Sequence, residues 1–230
     1  MASYGFPSLL LLSCIFVFAS ATLSSPSSPK VSLALYYETL CPYCSRFVFN
    51  HLSKVFENGL ITIIDLQLVP YGNAITKGNV TIICQHGPDE CMLNTVEACA
   101  IDAWPDLTEH FKFISCIEQL VIENKSKEWE SCFMKLNFHP NPIIECYNSG
   151  HGKELELKYA SMTGSLNPPI QYVPWVTVND QPLHLDYENF ISYVCNAYKG
   201  TTVPEACEHL TQQINSVEKA NPSYEVCFAD

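Results

Sequence analysis

The sequence predicts an α/β fold in which a β-α-β half and a β-β-α half are separated by a helical, disulfide-rich insertion, and three observations carry that prediction. The first is Cys41-Pro42-Tyr43-Cys44, set between a short apolar run, Val31 to Tyr37, and an amphipathic one, Ser45 to Phe56. The second is Val173-Pro174 at the head of a short apolar run that ends in a turn signal. The third is the stretch between them, from Tyr71 to about Gly152, where cysteines, glycosylation acceptors and helical periodicity crowd together.

Taken in order, Val31-Ser32-Leu33-Ala34-Leu35-Tyr36-Tyr37 is apolar almost throughout, as a strand buried on both faces must be. After the two thiols, Phe47, Val48, Leu52, Val55 and Phe56 recur at helical spacing, and Asn58-Gly59 is a stop signal. Ile61 to Val69 is a second apolar, β-branched run, so strand, helix, parallel strand is the simplest reading. Residues 71–152 form the expected insertion, helical around Thr95 to Ala103 and Leu107 to Ile122. Val173 to Val178 then reads as a strand, Asn179-Asp180 as a turn, and Leu183-His184-Leu185 as the strand completing a hairpin. Tyr187 to Tyr198 is expected to be helical, with Phe190, Ile191 and Val194 on one face. That order is the order of a thioredoxin fold, here over residues 31–199, with a cysteine-containing tail at 200–230 whose place the sequence does not give.

The first 29 residues carry no charged side chain, and Leu9 to Phe18 is apolar and ends in Ala19-Ser20-Ala21. Residues 1–21 therefore read as a secretory signal peptide cut after Ala21, followed by a Ser/Pro-rich leader over 22–30. About ten apolar residues fall short of the roughly twenty that span a bilayer, and no later stretch is long enough, so no transmembrane segment is expected. Cleavage removes Cys14 and leaves eleven of the twelve cysteines, a density that fits an oxidising route. Asn79 and Asn124 head glycosylation acceptors and fit the same compartment. The formal charge of −12 makes nucleic acid and anionic membrane poor partners.

Cys41 and Cys44 lie on the first turn of a helix leaving a strand, where free N–H groups and the helix dipole favour an anion. Cys41 is therefore expected to ionise readily and attack a substrate disulfide, with Cys44 resolving the mixed disulfide. A structural disulfide and half of a zinc site are the competing readings of the same spacing. Pro42 costs no hydrogen bond at the first helical position. Val173-Pro174 is expected to be a cis bond opposite the thiols, leaving a backbone edge that can pair with substrate.

The third motif runs from Cys84 through Gln85, His86, Gly87, Glu90, Cys91 and Asn94 to Cys99. It fits C-Q-H-G-x2-E-C-x2-N-x4-C at every fixed position, and the chain thereby resembles the gamma-interferon-inducible lysosomal thiol reductase family. The resemblance implies a thioredoxin-like glycoprotein that reduces protein disulfides at acidic pH in lysosome, endosome or an equivalent vacuole, or after secretion. It also implies that Cys41 and Cys44 are the active pair. The dipeptide Pro42-Tyr43 is similar instead to that of glutaredoxins. From the residues alone, Cys84, His86 and Cys91 could be a metal site, but a disulfide network about Gly87-Pro88 is preferred; His86 is read as a packing residue or as a general acid or base. No metal and no cofactor are expected, and the expected partners are unfolded proteins containing disulfides, with a small thiol or a protein as reductant. A disulfide isomerase or oxidase of the secretory pathway is the competing enzyme, and an inert disulfide-rich binding module the competing non-enzyme.

Acid operation sets a requirement, because at pH 5 a thiol of pKa about 8.5 is only about 0.03% thiolate. The sequence reading therefore expects Cys41 below about 6. Nine cysteines lie outside the Cys41/Cys44 pair, so at least one is expected to be unpaired or intermolecular.

Overall fold

A computed structural model describes residues 1–2, 30–78, 80–208 and 225–229. The signal peptide, its cleavage after Ala21, leader residues 22–29 and the acceptor Asn79 lie outside the described residues. Its centre is the strand β1 (Val31–Tyr37), whose side chains are buried on both faces. β1 runs parallel to β2 (Ile64–Pro70), paired from Val31 with Ile64 to Tyr37 with Pro70. On its other edge it is antiparallel to β6 (Trp175–Val178), which pairs with β7 (Gln181–Pro182), giving the order β2-β1-β6-β7.

The crossover from β1 to β2 is one helical run in three parts. α1 (Pro42–Arg46) passes into a wider π-helical stretch, Phe47–Leu52, and ends in α2 (Lys54–Glu57). Phe47, Val48, Leu52 and Val55 are buried on its inner face. Asn58 and a left-handed Gly59 stop it, where the sequence places the stop.

Between β2 and the next strand, β5 (Tyr172–Val173), lie the hairpin β3 (Ile75–Lys77) and β4 (Thr81–Ile83) and a set of helices. These are α3 (Pro88–Ala103), α4 (Leu107–Ile122), α5 (Ser131–Leu136), α6 (Asn141–Ser149) and α7 (His151–Gly164), so helix continues past residue 152. Asp106 caps α4 by accepting from Thr108 N–H at 2.8 Å and Glu109 N–H at 3.3 Å. Bridges Cys84–Cys91, Cys99–Cys146 and Cys116–Cys132 tie this layer together. With its sulfurs bonded to each other, the first leaves neither Cys84 nor Cys91 as a thiolate to join His86 on a metal.

The expected second hairpin strand at Leu183 to Leu185 is corrected. Asn179 and Asp180 both have positive φ, the two-residue turn that joins adjacent strands directly, so pairing begins at Gln181. Pro182 offers no N–H, Leu183 N–H closes the ladder on the Val176 carbonyl at 2.9 Å, and the chain enters a 3-10 turn at His184–Asn189. α8 (Phe190–Ala197) follows, and Phe190 and Tyr187 meet Phe47 edge-on, locking this end to the first crossover. Among the described residues no helix is long and apolar enough to cross a membrane.

Candidate active site

The carboxyl end of β1, the amino end of β6 and the start of α1 converge on the two thiols. Cys41 is the N-cap of α1 and Pro42 its first residue, and the Cys41 side chain makes no capping hydrogen bond to the first turn. Val173-Pro174 is cis, and the Val173 carbonyl lies 3.9 Å from Cys41 Sγ. Arg46 turns away, stacking over Tyr43 at 4.9 Å and reaching Glu225 at 3.2 Å.

The signature residues support the loop that delivers Cys41. Asn94 Oδ1 accepts from Thr39 N–H at 3.0 Å, and Thr39 Oγ1 donates to the Glu90 carbonyl at 3.5 Å, so α3 fixes the chain immediately before the first thiol. His86 Nδ1 bonds Glu90 Oε2 and lies 3.5 Å from Glu38 Oε1. Glu38 is fully buried and its Oε2 accepts from Asn73 N–H at 2.8 Å. Gly72, with φ +58°, makes that approach possible, since a Cβ there would meet Glu38 Oε2 at 2.5 Å.

The structure joins Cys41 not to Cys44 but to Cys227 of the C-terminal tail, and Cys44 is the free cysteine among the described residues, buried beside the bridge. The tail arrives as the strand β8 (Cys227–Phe228), antiparallel to β5, with Cys227 opposite Val173 and Phe228 opposite Tyr172. Cys207, the other tail cysteine, bonds Cys195. The expectation of an unpaired or intermolecular cysteine outside the pair is corrected: all nine are bonded within the chain, Cys227 to Cys41, and the cysteine left without a bond is Cys44. A His86 nitrogen, a Glu38 oxygen and Cys227 Sγ lie within 4.8 Å of one another, but that sulfur is held in the disulfide.

Burial pushes the Cys44 thiol well up, and the carboxyls of Glu38, Glu118 and Glu90 push it further. Two of these carboxyls are themselves displaced: desolvation raises Glu118 well above the usual range and raises Glu90, which the His86 contact partly offsets. Glu97 is pushed up to about 8 by burial, although the Tyr37 hydroxyl donates to it at 2.6 Å. Sequence reasoning missed Glu38, Asn73, Glu97, Glu118 and Cys227; among these only the odd cysteine count gave a signal.

The sheet order, the CxxC at a helix start and the cis-proline beside it define a thioredoxin-like fold built for thiol–disulfide exchange. Among solved structures, DsbA from Mycobacterium tuberculosis matches with TM-score 0.54 at 14% identity, over 81% of this chain and 92% of that one. The MdbA oxidoreductase from Corynebacterium diphtheriae matches at 0.52 and 14%, over 72% and 83%. The chain belongs to the family described as gamma interferon inducible lysosomal thiol reductase, which matches residues 32–136. An Arabidopsis thaliana gamma-interferon-responsive lysosomal thiol protein is 41% identical over 95% of this chain and 94% of its own. The Mus musculus gamma-interferon-inducible lysosomal thiol reductase is 36% identical over 84% and 77%. The chain is an oxidoreductase acting on disulfides.

Proposed function

We propose that this chain reduces disulfides of unfolded proteins in an acidic compartment of the secretory route, with Cys41 as nucleophile and Cys44 as resolving thiol. The observation that carries the reading is the Cys41–Cys227 bridge with the free Cys44 next to it. That arrangement has the bonding of a mixed-disulfide intermediate, with Cys227 standing in for a substrate cysteine. In the forward reaction the Cys41 thiolate attacks one substrate sulfur, and the other substrate sulfur leaves with the electron pair. Cys44 then loses its proton and attacks Cys41 Sγ, releasing the substrate thiolate and closing Cys41–Cys44. A thiol reductant must reopen that bond for the next cycle.

The buried carboxyls favour acid. Glu90 and Glu118 keep their protons to higher pH than ordinary carboxyls, so in acid they are neutral and place no negative charge against a Cys44 thiolate. The helix start favours the anion at Cys41, which is expected to titrate below about 6. The names of the Arabidopsis and mouse relatives place those proteins in the lysosome, which agrees with this reading.

Insulin reduction by the full chain, with a thiol reductant present, at about pH 4.5 and about pH 7.4 tests the proposal. Activity should be higher in acid, vanish in Cys41→Ser, and give way in Cys44→Ser to a trapped covalent adduct with insulin. Turnover by Cys41→Ser equal to the parent would refute the assignment.

A further inference from the structure

The strand β8 is held by its main chain. Tyr187 Oη donates to the Glu225 carbonyl at 2.5 Å, Asn73 Nδ2 to the Cys227 carbonyl at 3.0 Å, and Gln85 Nε2 to the Phe228 carbonyl at 2.7 Å. Ala229 N–H donates to the Gln171 carbonyl at 3.1 Å. The side chains contribute less: Val226 is buried, whereas Phe228 only leans its ring edge on Tyr172 and stays 61% exposed.

Asn73 and Gln85 act as a unit. Asn73 Nδ2 also donates to Gln85 Oε1 at 2.8 Å, which turns the Gln85 amide so that its NH2 faces the tail. Asn73 is in turn fixed through its own N–H on the buried Glu38. Both donors thus stand ready beside Cys41, at a spacing set by a peptide backbone rather than by any particular side chain.

We propose that Asn73 and Gln85 form a main-chain clamp for substrate, reading the carbonyls of the attacked cysteine and of the residue after it, and that the tail segment around Cys227 occupies it as a built-in substrate. The proposal rests on Cys41 being the nucleophile. It commits the site to an extended polypeptide added antiparallel to β5, and gives the signature residue Gln85 a positioning role. It also explains how one site accepts many sequences: the groups it reads are common to every residue. The tail leaves by exchange alone. Cys44 attacks Cys41 Sγ, the Cys41–Cys227 bond breaks, Cys227 departs as a thiolate and takes up a proton, and the number of disulfides is unchanged.

The test uses the full chain carrying Cys44→Ser and Cys227→Ser, so that Cys41 is free and its adducts persist. Two probes release thionitrobenzoate when Cys41 attacks: a capped peptide copying Glu225 to Ala229 with its cysteine activated by thionitrobenzoate, and Ellman's reagent, which has no peptide backbone. Adding Gln85→Glu, which removes the donor and keeps the shape, or Asn73→Ala should lower the ratio of the peptide rate to the Ellman rate about 5- to 30-fold. Gln85→Glu alone suffices if Asn73→Ala does not fold. An unchanged ratio overturns the clamp while leaving Cys41 as nucleophile; failure of the parent to consume either probe at Cys41 overturns the nucleophile, and the clamp with it.

Discussion

Glu97 offers a quantitative test of how the buried carboxyls shape this protein. It lies on α3, fully buried, with the Tyr37 hydroxyl donating to it at 2.6 Å and Glu118 raised alongside it. Its pKa rises from 4.5 to about 8. A group whose folded pKa is raised stabilises the fold fully below its unfolded value and loses that contribution as pH climbs toward the folded one. At about 1.4 kcal/mol per pH unit, the parent should lose about 3 to 4 kcal/mol through Glu97 between about pH 5 and about pH 8. Glu97→Gln keeps an acceptor for Tyr37 and cannot ionise. Urea unfolding at both pH values should therefore show the variant overtaking the parent as pH rises, by an amount of that order. Parallel pH dependences in the two proteins would mean that Glu97 is charged in the fold, and would refute the picture of a neutral acid layer beneath the thiols.

Two further outcomes follow from the geometry around the tail and its support. Without reductant, Cys41 in the full chain should resist iodoacetamide, because it is both bonded and buried; Cys44→Ser together with Cys227→Ser should make it label, as peptide mapping by mass spectrometry would read. Gly72→Ala should lower the urea midpoint at unchanged slope, by about 1–3 kcal/mol, because φ +58° is strained for alanine and the new methyl would press on Glu38.

The local chemistry of this fold is written in its sequence to an uneven degree. The two-sided apolar run at Val31–Tyr37 and the helical spacing over Leu107–Ile122 both appear as elements at those positions, because burial periodicity is a local property. The strand expected at Leu183–Leu185 fails for an equally local reason, since Asn179-Asp180 makes a tighter turn than the pattern suggests. What stays hidden is whatever depends on long-range contact. Cys227 lies 186 residues from Cys41, and nothing in its neighbourhood distinguishes it from Cys207. Asn73 and Glu38 look like loop polar residues until the fold brings them under the same helix start. Asn94, noticed only as part of a spaced motif, gains its physical meaning from a hydrogen bond to Thr39 across 55 residues.

Besides the bridge at Cys41, the described residues hold four disulfides, each the kind of bond this catalyst opens. Cys84–Cys91 opens the helix whose Asn94 steadies the catalytic loop. Tool and workpiece therefore share one chemistry, and the bridge at Cys41 differs in having the free thiol of Cys44 three residues away. Cys99–Cys146 is buried at both ends, whereas each of the other three joins a buried sulfur, Cys84, Cys132 or Cys207, to a half-buried one, Cys91, Cys116 or Cys195. A thiol reductant can therefore approach three of these bridges from one side only and Cys99–Cys146 from neither, so that bridge should be the last to open as reductant is raised.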